Sequence, residues 1–195
     1  IMDVIGRSLE LERRFQVLPR RTLFPEASIA FVIDEGSTFH TIQRNAVHYA
    51  SVVLQLQSAA NTGTGFDLYQ VEDLPRAPRY KCYVFLNTFE LRPGVEAFID
   101  RELKKGGATL VWVYAPGVVL SNRLDASRVE AVTGIRMKVA DEAVDPTTDV
   151  EIGAGTLAGL KVAGPLNYTY GYGKLGPWFS PQEGEVLGKL RAGGA

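Results

Sequence analysis

The residues of this chain best suited to chemistry stand just after its most apolar runs. Asp34, Glu35 and Ser37 follow Ile29-Ala30-Phe31-Val32-Ile33, His40 comes shortly afterwards, and Asn87 closes the run from Tyr80 to Leu86. A carboxylate pair at Asp34 and Glu35 could hold sugar hydroxyls or exchange protons. Adjacent residues in extended backbone point to opposite sides, so the two converge on one atom only if the chain turns between them. Asp34 and Ser37 equally suit a structural task, tying down the loop and capping a following helix. Phosphate is a poor fit. The segment has a single glycine, lacks both GxGxxG and GxxxxGK[ST], and carries two negative charges.

Covalent catalysis needs an activated hydroxyl or thiol held against a base that a third group orients. Cys82, the only cysteine, sits inside an apolar run and suits a small core residue. His48 falls on the polar stripe of a helical pattern. His40, near that helix's expected start, could approach the strand-end loops or lie on the surface. Two histidines and one cysteine are too few for a His/Cys zinc site, and no HExxH or CxxC spacing occurs, so neither metal nor cofactor is expected. Tyr168, Tyr170, Tyr172, Trp178 and Phe179 are interleaved with glycine and proline. Such rings could pack against the apolar face of a sugar, or fill a sheet edge or a domain contact.

An α/β frame is the element pattern that would position these groups. Residues 29–33 predict a buried parallel strand, and a helix is expected from about His40 to Ala60. In that helix Arg44, His48, Ser51, Gln55 and Ser58 form a polar stripe opposite Ile42, Ala46, Tyr49, Ala50, Val53 and Leu56. Phe66 to Val71 predicts a weaker strand, and Tyr80 to Leu86 a central one. Pro93 opens a helix whose stripe is Val95, Phe98, Ile99 and Leu103, ending at Lys104-Lys105-Gly106-Gly107. Ala108 to Tyr114 predicts a fourth strand, and a short helix spans about Asp125 to Val132. This order argues for a mainly parallel sheet with helices on both faces. From Met137 onward, glycine-interrupted β-prone stretches predict irregular strands at the sheet edge.

Residues 1–18 read as a helix with a loose apolar face of Val4, Ile5, Leu9, Leu11, Phe15 and Leu18. Pro19 and Pro25 then break regular structure. Residues 1–24 are therefore read as a lead-in from a preceding domain, and 25–195 as one α/β domain.

The chain has 195 residues, 46% hydrophobic and 22% charged, with net charge −1, the balance of a globular protein. That charge gives no reason to expect nucleic acid or a membrane as partner. Arg13, Arg14, Arg20 and Arg21 form the densest basic cluster, a solvated surface or interdomain contact rather than a polyanion site. A lone cysteine allows no internal disulfide, which favours a reducing compartment such as the cytoplasm. No signal peptide opens the sequence, and the Ile before Met2 suggests that translation starts upstream. Asn167-Tyr168-Thr169 matches a glycosylation triplet that matters only on a secretory route.

Three strings carry a family resemblance: Ile29 to Ser37, Tyr80 to Asn87, and Gly106-Gly107-Ala108-Thr109-Leu110-Val111-Trp112-Val113-Tyr114-Ala115-Pro116-Gly117. Together they resemble the beta-galactosidase trimerisation domain, which follows the catalytic barrel in glycoside hydrolase family 42. The resemblance covers roughly residues 27–135. It implies a flavodoxin-like fold similar to class I glutamine amidotransferases. Their nucleophile elbow reads approximately Gly-x-Cys-x-Gly, and the matching turn here is Val113 to Gly117. Ala115 would then stand at the nucleophile position, with Pro116 and Gly117 after it, and alanine cannot attack a carbonyl. The implied role is non-catalytic: packing against a preceding barrel domain and joining copies into a homo-oligomer. Any catalytic carboxylates would lie outside this chain. Two alternatives remain. A sugar or small molecule could bind at the strand ends through Asp34, Glu35, Ser37, His40, Asn87 and Tyr114, or the chain could be an independent hydrolase.

Overall fold

The computed structural model describes residues 6–7, 9–11, 13–14, 27–41, 46–143, 147–150, 166–167, 174 and 176–191. Four short apolar segments form one parallel sheet: β1 (Ile29–Ile33), β2 (Phe66–Gln70), β3 (Cys82–Phe85) and β4 (Thr109–Trp112). Their spatial order is β2-β1-β3-β4. Phe31 pairs with Leu68 on one side and Val84 on the other, and Val84 pairs with Val111. Because the order reverses direction at β1, the crevice between the carboxyl ends of β1 and β3 is the topological switch point of a flavodoxin-like sheet.

Helices flank this sheet. The first, α1, is a single turn at Glu35–Thr38. The second, α2, runs over residues 46–61 as Ala46–His48, a π-helical Tyr49–Leu54 and Gln55–Asn61. A 3-10 turn at Val71–Arg76 leads from β2 toward β3. The third, α3, spans residues 93–103, with Pro93–Phe98 running into a π-helical Ile99–Leu103. Proline suits its first turn because the missing N–H has no partner there in any helix. After β4 come a hairpin, β5 (Val119–Leu120) and β6 (Arg123–Leu124), and α4 (Ser127–Thr133). Gly134 stops α4 in the left-handed conformation, at φ 73°.

The main core lies on one face of the sheet. Ala30, Val32, Tyr83 and Phe85 point there and meet Val71 and Leu74 of the 3-10 turn and Val95, Ile99 and Leu103 of α3. Phe85 stacks on Trp112, with ring centroids 4.2 Å apart. Burying a side chain such as Ile99 or Leu103 contributes about 1.5–3 kcal/mol, which ties α3 firmly to the sheet. A second cluster of Val47, Phe89, Ala115, Val118, Val119 and Val129 gathers separately, with the strand-end residues Phe89 and Ala115 among its members.

The C-terminal part is β-rich as expected. It contributes β7 (Met137–Ala140), β8 (Thr147–Val150), β9 (Leu166–Asn167), β10 (Trp178–Pro181) and β11 (Gly188–Arg191). β10 lies antiparallel to β7, and β8 sits between β11 and β9. In the lead-in segment the described residues between 6 and 14 are helical. No helix among the described residues is long and apolar enough to cross a membrane.

Two local expectations require correction. The long helix does not begin near His40: α1 ends at Thr38, and His40 and Thr41 continue a turn closed by the Thr41 hydroxyl on the Thr38 carbonyl at 2.8 Å. The stripes of α2 are also rotated. Ser51, placed on the polar side by a 3.6-residue period, is buried, while Tyr49, placed on the apolar side, is exposed. The π turn at Tyr49–Leu54 explains this, since bonding from i to i+5 shifts side chains off a uniform helical wheel. Ile42 and Arg44 of the two stripes lie outside the described residues.

Candidate functional site

The chain leaves β1 in extended geometry at Asp34 (φ −122°, ψ 112°) and turns at once into α1. The Asp34 carboxylate accepts from the backbone N–H groups of Gly36 at 3.0 Å and Ser37 at 2.9 Å, and from the Ser37 hydroxyl. This is N-capping, in which a side-chain oxygen satisfies helix donors that have no partner within the helix. Asp34 is buried, and all three of its donors belong to its own turn. The turn also separates the two carboxylates: Glu35 is exposed, and its backbone N–H donates to the Gln70 side-chain oxygen at 3.3 Å.

Asn87 meets Asp34 across the switch point. Its Oδ1 accepts from the Asp34 N–H at 2.9 Å, and its Nδ2 donates to the Asp34 carbonyl at 2.8 Å. The side chain of Asn87 thus substitutes for a further pair of sheet hydrogen bonds where the strands end. Ser37 completes the closure, because its hydroxyl oxygen accepts from the Glu90 N–H at 2.9 Å. His40 reaches the same loop from outside, Nε2 lying 2.9 Å from a Glu90 carboxylate oxygen in a partly exposed pair. Asp34, Ser37 and Asn87 therefore form one buried cluster, His40 stands at its rim, and Glu35 points away.

The turn after β4 is built differently. Tyr114 takes φ 66°, a left-handed conformation rare for a bulky residue, and Gly117 follows with φ 69°. The strained position of this turn is therefore Tyr114, and Ala115 lies fully buried in the second cluster behind it. The Tyr114 hydroxyl donates to the Pro177 carbonyl at 2.9 Å, and burial pushes its pKa up to about 12. Its ring meets Phe89, Trp178 and Phe179 edge-on at 6.1, 6.5 and 5.9 Å. Pro116 is also buried. At Gly117 an added Cβ would lie 2.5 Å from Val132 Cγ2, so glycine is required there for space as well as conformation. The Gly117 N–H donates to the Thr88 carbonyl at 2.8 Å, joining this turn to the loop after β3.

Cys82 is half-buried on the sheet, and burial raises its thiol pKa, which disfavours thiolate. Among the described residues no group of three His, Cys, Asp or Glu side chains could hold a metal ion. Trp178 and Phe179 of the aromatic tail pack on Tyr114, whereas Tyr168, Tyr170 and Tyr172 lie outside the described residues. Glu90, Thr88 and Pro177 complete the strand-end arrangement through backbone groups. No side-chain motif marks such partners in a sequence.

These features define a flavodoxin-like α/β domain whose switch point is closed by its own side chains. No family model matches the sequence, and no curated protein matches it. Among solved structures the chain is similar to a beta-galactosidase from Bifidobacterium adolescentis at 14% identity and TM-score 0.42, over 59% of this chain and 63% of that one. It is also similar to a beta-galactosidase from the psychrophilic Marinomonas ef1 at 12% identity and TM-score 0.43, over 96% of this chain and 27% of that one. The chain thus corresponds to only part of the length of either protein. Scores this low carry no functional weight, and the reading below rests on the chain's own residues.

Proposed function

We propose that this chain is a non-catalytic accessory module of a larger glycoside-hydrolase-like protein, serving contact with a preceding catalytic barrel and assembly of copies into an oligomer. The observation that carries the reading is the closure of the crevice between β1 and β3. There the groups best placed to meet a substrate bind each other: Asp34 caps α1, Asn87 bridges to the Asp34 backbone, and Ser37 accepts from Glu90. A ligand-binding switch point presents such groups to an open crevice. The turn after β4 adds support. In a nucleophile elbow the strained residue is the attacking group, whereas here it is a tyrosine whose hydroxyl is committed to a carbonyl. The resemblance of residues 27–135 to the beta-galactosidase trimerisation domain supplies the class of parent protein.

The test has two arms. Sedimentation equilibrium of the full chain across a wide concentration range is expected to show a reversible oligomer, and a monomer throughout would overturn the assembly role. Galactoside hydrolysis by the complete parent protein is expected to survive Asp34→Asn and His40→Ala. Abolition of turnover by either change, with the fold intact, would overturn the non-catalytic assignment.

A further inference from the structure

The two faces of the sheet are not equally covered. One face carries the main core, but the other presents a row running straight across all four strands: Leu68, Phe31, Val84 and Val111. None of these residues belongs to either buried cluster. Both ends of the row are open, Leu68 at 47% and Val111 at 40% exposure. The adjoining row, Phe66, Ile29, Cys82 and Thr109, is likewise uncharged. Phe31 packs edge-on against Phe66 at 5.0 Å, giving the middle of this face an aromatic floor. Parallel sheets are stable when both faces are covered, so an apolar row of this length calls for a helix across it.

The same chain carries a helix that lacks such a seat. Val4, Leu11, Phe15 and Leu18 recur at i, i+7, i+11 and i+14, the spacing of a single helical stripe. Leu11 on that stripe is 54% exposed. Glu10 and Arg14 pair at 2.6 Å on another side of the helix, where water can solvate them. An unseated apolar stripe and an uncovered apolar row in one sequence make the molecule complementary to itself. The uncharged rows also bring no like charges together when copies meet.

We infer that the open face of the sheet is the seat for the N-terminal helix of a second copy of this chain. Each copy gives a helix and receives one. A single helix-on-sheet seam is small beside the roughly 1,600 Å² of a standard interface, and the reciprocal exchange adds a second seam. The inference rests on the assembly role proposed above and names the surface through which it operates.

Cysteine crosslinking tests it, because Cys82 lies on the receiving face and is the only cysteine. A Leu11→Cys, Cys82→Ser chain carrying a size tag is mixed with untagged wild-type chain and oxidised. A tagged–untagged disulfide on a non-reducing gel is the expected result, and its absence overturns the inference. Leu11→Cys in the Cys82 background provides the second arm, where an internal disulfide in a monomeric band would show the helix seated on its own sheet and likewise overturn the inference. As an independent readout, Leu11→Glu and Val111→Glu each change an exposed residue, so the fold is retained, as circular dichroism can verify. Each is expected to weaken assembly at least tenfold. An unchanged oligomer in both variants would sink this surface while leaving the assembly role standing, whereas a wild-type chain that never associates would sink that role itself.

Discussion

Replacing Asp34 by alanine removes the acceptor for two backbone N–H groups and one hydroxyl, all within the first turn of α1. Loss of an N-cap alone costs about 0.5–2 kcal/mol. Here the Ser37 hydroxyl and N–H are buried, and stranding them adds about 1–3 kcal/mol. The expected destabilisation is therefore about 2–4 kcal/mol. With a urea slope of about 1–3 kcal/mol/M, the unfolding midpoint should fall by on the order of 1–2 M. Asp34→Asn keeps an acceptor on the cap and should cost about 1 kcal/mol, so the order wild type, Asn, Ala is itself a prediction. Urea titrations followed by circular dichroism and tryptophan fluorescence measure all three. A residue held for ligand chemistry behaves oppositely, since its removal commonly leaves stability unchanged or raises it. A loss below about 0.5 kcal/mol for Asp34→Ala, the range of an ordinary surface change, would refute the claim that this carboxylate holds the switch point shut.

Asn87→Leu should cost about 2–3 kcal/mol in the same assay, because two hydrogen bonds to buried Asp34 backbone groups are lost together. Gly117→Ala forces a Cβ to 2.5 Å from Val132 Cγ2 at a left-handed backbone position, for an expected loss of about 2–4 kcal/mol; adding Val132→Ala should restore part of it by removing the clash, and no restoration would show that backbone strain alone is responsible. Tyr114→Phe should lower stability by about 1 kcal/mol through the lost bond to the Pro177 carbonyl. Burial raises the Tyr114 hydroxyl from 10.0 to about 12. The unfolded chain therefore releases this proton first as pH rises, and the stability held below pH 10 is lost toward about pH 12. In wild type, ultraviolet absorbance should show a late-titrating phenolate that Tyr114→Phe abolishes.

The parts of this fold that sequence reading reached are those with strong local causes. β1 and β3 are nearly uninterrupted apolar runs, α3 opens on Pro93, and α4 ends on Gly134, so backbone preference and burial point the same way. The π turn in α2 was not legible. Its Tyr-Ala-Ser-Val-Val-Leu segment is compatible with an ordinary helix, and only packing selects the wider turn. The hairpin of β5 and β6 was missed because Ser121 and Asn122 adopt positive φ without a glycine to announce it. At the strand ends, Asp34 and Ser37 were recognisable as a helix cap from spacing alone. Their link to Asn87 and Glu90, some fifty residues along the chain, depends on strand order, which local pattern does not encode.

The bond from Tyr114 to Pro177 sets a timetable for the chain. The two residues lie 63 positions apart, and a ribosome adding about 5–20 residues per second needs on the order of 3–13 s to cover that distance. All four strands of the central sheet precede Tyr114, so they are available for pairing throughout the interval. During it the Tyr114 ring waits without its carbonyl partner and without the rings of Trp178 and Phe179, leaving an oily spot at the growing edge of the molecule. A nascent chain stalled within this stretch would be the form most in need of a chaperone.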